Sequence, residues 1–198
     1  MKHFSEISPT AEKVVDAAEG LIQARGYNGF SYDDVAKLVG IKKPSIHHHF
    51  ATKSELAAVI AQRYTHRFRE MLLQIEGRHV KAIDRLNAYA SLFETTFKND
   101  KHLCVCGMLG AESGSLPDIV NLEVANFFRI NMDWLTQVFR DGQSAGQLTL
   151  NVAPEGLAEG YLSLLEGAMV VRRTMNESSG PVSTAVHFLK ALETPTSH

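Results

Sequence analysis

A chain of 198 residues, 44% hydrophobic and 21% charged, has the apolar content to close a core, which excludes a disordered chain. A net charge of −2 excludes a protein that coats polyanions over its whole surface. No run approaches the ~20 apolar residues that a helical bilayer crossing needs, so no membrane partner is expected.

The first segment, Met1-Lys2-His3-Phe4-Ser5-Glu6, lacks the apolar centre of a secretory leader. Cys104 and Cys106 lie too close in sequence to staple a chain of this size. Both features point to a reduced, cytoplasmic setting. A first helix is predicted from about Thr10, ending near Arg25-Gly26. Ser31 and Asp34 have capping-box spacing for a second, with Phe30 placed to staple onto Val35. Gly40 punctuates a turn, and Pro44 suits the first turn of a third helix, Pro44 to Phe50. Thr52 and Glu55 repeat the capping device for a long helix from Lys53 to about Glu76.

Further helices are predicted for Val80 to Asn99, Leu103 to Glu112, Asp118 to Arg140, Pro154 to Met175 and Pro181 to Glu193. The first of these, Val80 to Asn99, carries Ile83, Leu86, Ala90, Phe93 and Phe97 on one stripe. Asp118 to Arg140 is apolar on several sides and is expected to run through the interior, with Gly142 and Gly146 ending it. Neither a β-alternating run nor a 20–50-residue repeat is visible. The predicted fold is all-α, about nine helices: an N-terminal three-helix head, residues 1–52, on a larger C-terminal helical bundle, 53–198.

The stretch from Phe30 to Leu56 places two short helices, a tight turn and the start of a third helix within 27 residues. Ile46 and Phe50, four apart, face inward, while Ser45, His47 and His48 face outward. This is how a helix-turn-helix presents a recognition helix to the DNA major groove. Charge is distributed accordingly. Residues 36–69 carry 7 basic and 1 acidic side chains, against a net of −3 for 1–35 and −5 for 70–198. A basic face on an acidic protein favours oriented contact with phosphates; a merely solvated helix face is the alternative.

The run His47-His48-His49-Phe50, followed by Thr52-Lys53-Ser54-Glu55-Leu56, resembles the DNA-binding region of TetR/AcrR-type bacterial transcriptional regulators. Thr10 to Ala18 and Arg25-Gly26-Tyr27-x-x-Phe30-Ser31 resemble the family's first helix and turn. Two positions depart from the pattern: Lys42 stands where a small hydroxyl N-cap is usual, and His47 where an aromatic is usual. The later chain resembles the effector-binding and dimerisation part of the same family more weakly, through helix order and Cys106-Gly107-Met108-Leu109-Gly110-Ala111-Glu112. The resemblance implies a ligand-responsive dimeric regulator, most readily a repressor, on a near-palindromic operator.

Candidate DNA contacts are Ser45, His47 and His48 for base edges or the nearby backbone, with Lys42, Lys43, Lys53 and Thr10 for phosphates. Lys53, in the first turn after Thr52, is the foremost phosphate candidate. Adjacent helical residues point about 100° apart, so His47, His48 and His49 do not converge on one metal ion, and no metal or cofactor is expected. His49, three residues after Ile46, is expected to be buried. Gly156, Gly160, Ser163 and Gly167 form a small-residue strip on one helix face. It could pack within the subunit or, as the resemblance implies, against a second copy. The family's ligand cavity, transferred here, has Phe93, Phe97, Met108, Phe127, Asn131, Trp134 and Tyr161 as candidate walls, implying an uncharged, partly aromatic effector. Cys104 and Cys106 read as small buried hydrophobes or as a thiol sensor, with Cys104 the nearer to a helix start. The chain has no G-x-S-x-G, H-E-x-x-H, P-loop, dinucleotide fingerprint or S-x-x-K, so an enzyme is not expected. A helical binding protein that kept the head but lost sequence readout is the alternative.

Overall fold

A computed structural model of the chain describes residues 3–149 and 151–192. Nine α-helices occur among these residues: α1 Pro9–Arg25, α2 Tyr32–Val39, α3 Lys43–His49, α4 Lys53–Arg78, α5 Ala82–Lys98, α6 Val105–Ala111, α7 Asp118–Ser144, α8 Pro154–Thr174 and α9 Val182–Lys190. Short 3-10 turns cover Phe4–Glu6 and Ser113–Ser115, and the described residues contain no β-strand. None of these helices is long and apolar enough to cross a membrane. The all-α prediction holds. Glu193, the predicted end of the last helix, lies outside the described residues.

Two compact units make up the chain. The first comprises the described residues up to Phe68 together with Cys104–Phe128; the second comprises Arg69–Leu103 and the described residues from Arg129 onward. α4 and α7 each supply residues to both.

In the first unit, α1 starts one residue before Thr10. Ser8 is its N-cap, its hydroxyl accepting from the Ala11 N–H at 3.3 Å, and Pro9 takes the first turn. Val14, Val15, Ala18 and Ile22 are fully buried along one face. The helix stops at Gly26, whose φ of 77° few other residues adopt. α2 opens with the complete Ser31–Asp34 capping box and ends on Gly40 in the left-handed conformation. α4 opens on Thr52, whose hydroxyl accepts from the Glu55 N–H at 3.1 Å. The Glu55 carboxylate reaches one residue further back than a capping box requires, to the Ala51 N–H at 3.1 Å. Phe127 of α7 packs on Tyr64 and Phe68 of α4, with ring centroids 5.5 and 5.1 Å apart.

The second unit is organised by α5. Its buried stripe is Ala82, Leu86, Tyr89, Ala90, Phe93 and Phe97; Ile83 is half-buried, and Ala82 and Tyr89 do the work assigned to it. α5 packs against α8 and α9, and the buried Tyr161 of α8 donates its hydroxyl to the Leu86 carbonyl at 3.0 Å. Glu94 of α5 accepts from the Gly180 and Val182 N–H groups, both at 3.2 Å, so an acid on one helix caps the start of another.

Two expectations for α7 fail. Gly142 does not end it: the helix runs to Ser144, and Gly142 is needed because a Cβ there would lie 2.6 Å from Leu148 Cδ1 and 2.8 Å from Ala82 Cβ. Gly146, with φ of 67°, follows the true end. Nor is α7 buried throughout, since Leu122 is 70% exposed.

The Ser31 hydroxyl and N–H donate to Asp34 Oδ2 at 2.6 and 2.8 Å. These bonds, the hydroxyl's first, hold the Asp34 carboxyl below its ordinary value of 3.8. A lowered native pKa means that the box's contribution is complete above the ordinary value and fades as pH falls through the native one. Asp34→Asn therefore flattens the acid limb of the stability profile, read by thermal melts between about pH 2 and pH 5. A limb as steep as that of the wild type would refute this.

Candidate nucleic-acid interface

α3 is only seven residues long, and the first unit supplies its backing. Ile46 is its one buried residue, and Phe50, its C-cap, is also buried. Burying an isoleucine of this kind contributes about 1.5–3 kcal/mol. The buried Tyr32 of α2 donates its hydroxyl to the Phe50 carbonyl at 3.0 Å, and its ring meets the His47 ring edge-on at 4.8 Å. Burial, ahead of the charge on Glu55, pushes the Tyr32 phenol up, so it stays a neutral donor. Sequence reading missed Tyr32 because its role depends on a residue 18 positions away.

Lys42, Lys43, Ser45, His47 and His48 are all exposed on this helix and its N-cap, as the pattern requires of a reading surface. Lys42 caps α3 without any side-chain hydrogen bond. His47 Nδ1 lies 3.4 Å from the Ala51 carbonyl, which only accepts, so the bond requires the proton on Nδ1. His49 is half-buried rather than buried, its ring 5.4 Å from that of His48. Thr10 is exposed in the first turn of α1.

The cations divide differently from the sequence expectation. Lys43 pairs with Asp33 at 2.7 Å. Arg63 is held by Asp16 at 2.7 Å and Glu19 at 2.8 Å, and Arg67 also pairs with Glu19. Much of the basic excess of residues 36–69 is thus matched by acids of α1 and α2. Lys53 turns inward: its Nζ donates to the Phe30 carbonyl and lies 4.6 and 4.3 Å from the ring centroids of Tyr27 and Phe30. Desolvation lowers its pKa, against the opposing pull of Glu112 and Asp34. In this arrangement Lys53 braces the turn between α1 and α2 instead of projecting towards a phosphate.

The candidate effector residues are divided between the two units. In the second unit, Phe93, Asn131, Trp134 and Tyr161 meet around Tyr89, which sequence reading did not single out. Tyr89 donates to Asn131 Oδ1 at 2.8 Å and stacks on Trp134 at 5.4 Å; Phe93 and Tyr161 lie 5.4 and 6.3 Å from its ring. Tyr89, Phe93, Phe97, Asn131 and Tyr161 are buried. Phe127, Cys104 and Met108 belong to the first unit. Cys104 and Cys106 are 1% and 0% exposed, and Cys104 Sγ caps α6 by accepting from the Gly107 N–H at 3.4 Å. Their surroundings match the small-hydrophobe reading. The second unit also holds an open groove of about 570 Å³ beside α4 and α5, lined by Met71, Arg78, His79, Asp84, Asn87 and Ser91 among others. None of the sequence-derived effector candidates lines it.

Gly156, Gly160, Ser163 and Gly167 lie on the exposed face of α8, and a Cβ added at any of the three glycines would meet nothing within 4 Å. Val170 and Val171, 52% and 55% exposed, extend the strip. Among the described residues, nothing from the same subunit packs against the three glycines.

A seven-residue helix exposing polar and basic side chains from a three-helix head is a DNA-reading arrangement, and the comparisons agree. Residues 14–60 match the sequence profile of bacterial regulatory proteins of the tetR family. A solved TetR-family transcriptional regulator from Agrobacterium tumefaciens has a TM-score of 0.86 at 32% identity, over 93% of this chain and 98% of that one. Transcriptional regulator AcuR of Cereibacter sphaeroides is 26% identical over 74% of this chain and 68% of its own. HTH-type transcriptional repressor DhaR of Mycobacterium sp. (strain GP1) is 24% identical over 82% of both. The chain belongs to the TetR family of bacterial transcriptional regulators, and it is a DNA-binding regulator, not an enzyme.

Lys53→Met removes one charge-assisted hydrogen bond and two cation–ring contacts, and is expected to cost about 1–2 kcal/mol in urea unfolding. The salt slope of DNA binding is expected to stay unchanged; a decrease of about one unit would return Lys53 to the phosphate contacts.

Proposed function

We propose that the protein is a cytoplasmic, homodimeric repressor that grips a near-palindromic operator and releases it when a small-molecule effector binds. The observation that carries this reading is the exposed row Lys42, Ser45, His47 and His48 on a helix backed by Ile46, Phe50 and Tyr32. Ser45, His47 and His48 read base edges or the adjacent backbone; Lys42, Lys43 and Thr10 hold phosphates. Residues 1–52 supply the reading head, and 53–198 the effector and dimer surfaces.

Twofold pairing is supported by the α8 strip, whose glycines leave room for a second helix to approach closely. A dimer places two recognition helices about one turn of DNA apart, which is why the operator is near-palindromic. Repression is supported by the name of the DhaR relative. The open groove beside α4 and α5 has the size of a small-molecule site, and Arg78, His79 and Asp84 along it favour an effector with polar groups. Effector binding then favours an arrangement of heads that no longer fits the two half-sites.

Selection from a random duplex library, followed by binding titrations, tests the DNA half of this reading. Lys42→Ala is expected to weaken all duplexes alike and lower the salt slope by about one unit, whereas His47→Ala changes the preferred bases. Enrichment of no duplex would defeat the reading in favour of a helical binding protein without sequence readout.

The dimer is tested separately. Gly160→Leu with Gly167→Leu, both directed into open space within the subunit, leaves the helical content unchanged. Sedimentation is expected to show the dissociation constant rising by about a hundredfold or more. An unchanged dimer would place the interface elsewhere.

A further inference from the structure

The turn between α1 and α2 is tied to the C-terminal end of α6, far from it in sequence. Asn28, in the turn between α1 and α2, donates its backbone N–H to Glu112 Oε2 at 3.1 Å, and its side-chain amide to the Ser115 hydroxyl at 3.2 Å. Glu112 is the C-cap of α6. Its carboxylate sits so close to the turn that a Cβ at Gly26 would lie 2.4 Å from Oε1, and Gly26 has φ of 77°. Glycine at that position is what lets an acid seat itself against the backbone. The charge also registers on the residues around the turn. It helps raise the Tyr27 phenol, after burial, and it opposes the burial that lowers Lys53.

From this turn the path to α3 is short. Lys53 grips the Phe30 carbonyl, Ser31 caps α2, and Tyr32 holds the Phe50 carbonyl at the end of the recognition helix. Val105, Cys106 and Leu109 bury α6, which packs on α1, so the carboxylate is delivered from a fixed support. All of these contacts lie within the first unit.

We propose that Glu112 is a positioning residue for DNA reading: its carboxylate latches the turn between α1 and α2 to α6, and so holds the recognition helix in its reading pose. It touches no DNA. The proposal rests on the regulator reading above and adds a residue to its machinery.

The test compares wild type, Glu112→Ala, Glu112→Gln and Asn28→Ala on the duplex that wild type selects from a random library. Titrations are run at a temperature where circular dichroism shows each protein folded. Glu112→Ala removes the acceptor of the Asn28 backbone N–H at 3.1 Å and, more distantly, of its side-chain amide at 3.5 Å. It is expected to bind about tenfold more weakly, with base preference and salt slope unchanged. Glu112→Gln, whose amide oxygen still accepts from Asn28, and Asn28→Ala, which keeps the backbone N–H, are each expected to stay within about threefold of wild type.

Wild-type affinity in Glu112→Ala would overturn the proposal, as would an equal loss in Glu112→Gln or a salt slope lowered by about one unit. In the wild type, the Asn28 amide is expected to exchange at least about tenfold more slowly than its intrinsic rate. Unprotected exchange there overturns the latch whatever the variants do. Failure of the wild type to enrich any duplex would instead defeat the underlying regulator reading.

Discussion

A helix of seven residues is too short to hold itself together in water, and α3 is such a helix. Its shape is imposed from outside, by Ile46 and Phe50 sunk in the core of the first unit and by the Tyr32 hydroxyl on the Phe50 carbonyl. That constraint leaves the outer face of α3 only lightly committed: Lys43 pairs with Asp33 and the His47 ring meets Tyr32, while Ser45 and His48 face solvent. The helices on either side of α3 are anchored at their starts: Ser31 and Asp34 at α2, and Thr52 and Glu55 at α4, satisfy first-turn backbone donors that a helix of any length leaves open.

Electrostatics follow a similar division between support and reading. Arg63 and Arg67 hold α4 to α1 through Asp16 and Glu19, and Lys53 is folded onto Tyr27 and Phe30. These cations stabilise the unit that carries the head. The smaller set nearer the N-terminus of α3, Lys42 above all, is left facing solvent. Phosphate attraction alone does not distinguish sequences, so a small set of solvent-facing cations is compatible with a reading surface.

The head was legible because its signals are local. A capping box spans four residues, a buried pair such as Ile46 and Phe50 spans five, and a glycine stop is a single residue. The bundle was legible in helix number and order for the same reason. What the sequence hid depends on distant partners: Tyr32 on Phe50, Arg63 on Glu19, Asn28 on Glu112, Tyr89 on Asn131. Gly142 was misread because a glycine required by the close approach of Leu148 and Ala82 looks, in sequence, like one that ends a helix. Among the aromatic candidates around Tyr89, Phe93 and Tyr161 are buried and Trp134 is half-buried, a packing that stripes of rings at helical spacing commonly adopt. The groove was invisible because its walls mix ordinary apolar and polar residues, Met71, Ile75 and Leu92 beside Asn87 and Ser91, from two helices.

Glu94 ties two regions of the second unit that the chain keeps far apart. It caps the start of α9, and it sits one turn beyond Ser91 on the helix that walls the groove. A rigid rod with a guest leaning on one point and a strap fastened at the next transmits a push. Any shift of α5 caused by filling that groove would tug on the leading end of α9, and α9 packs on the helix bearing the glycine strip. The strap fastens the helix that walls the groove to the start of the helix that packs on α8.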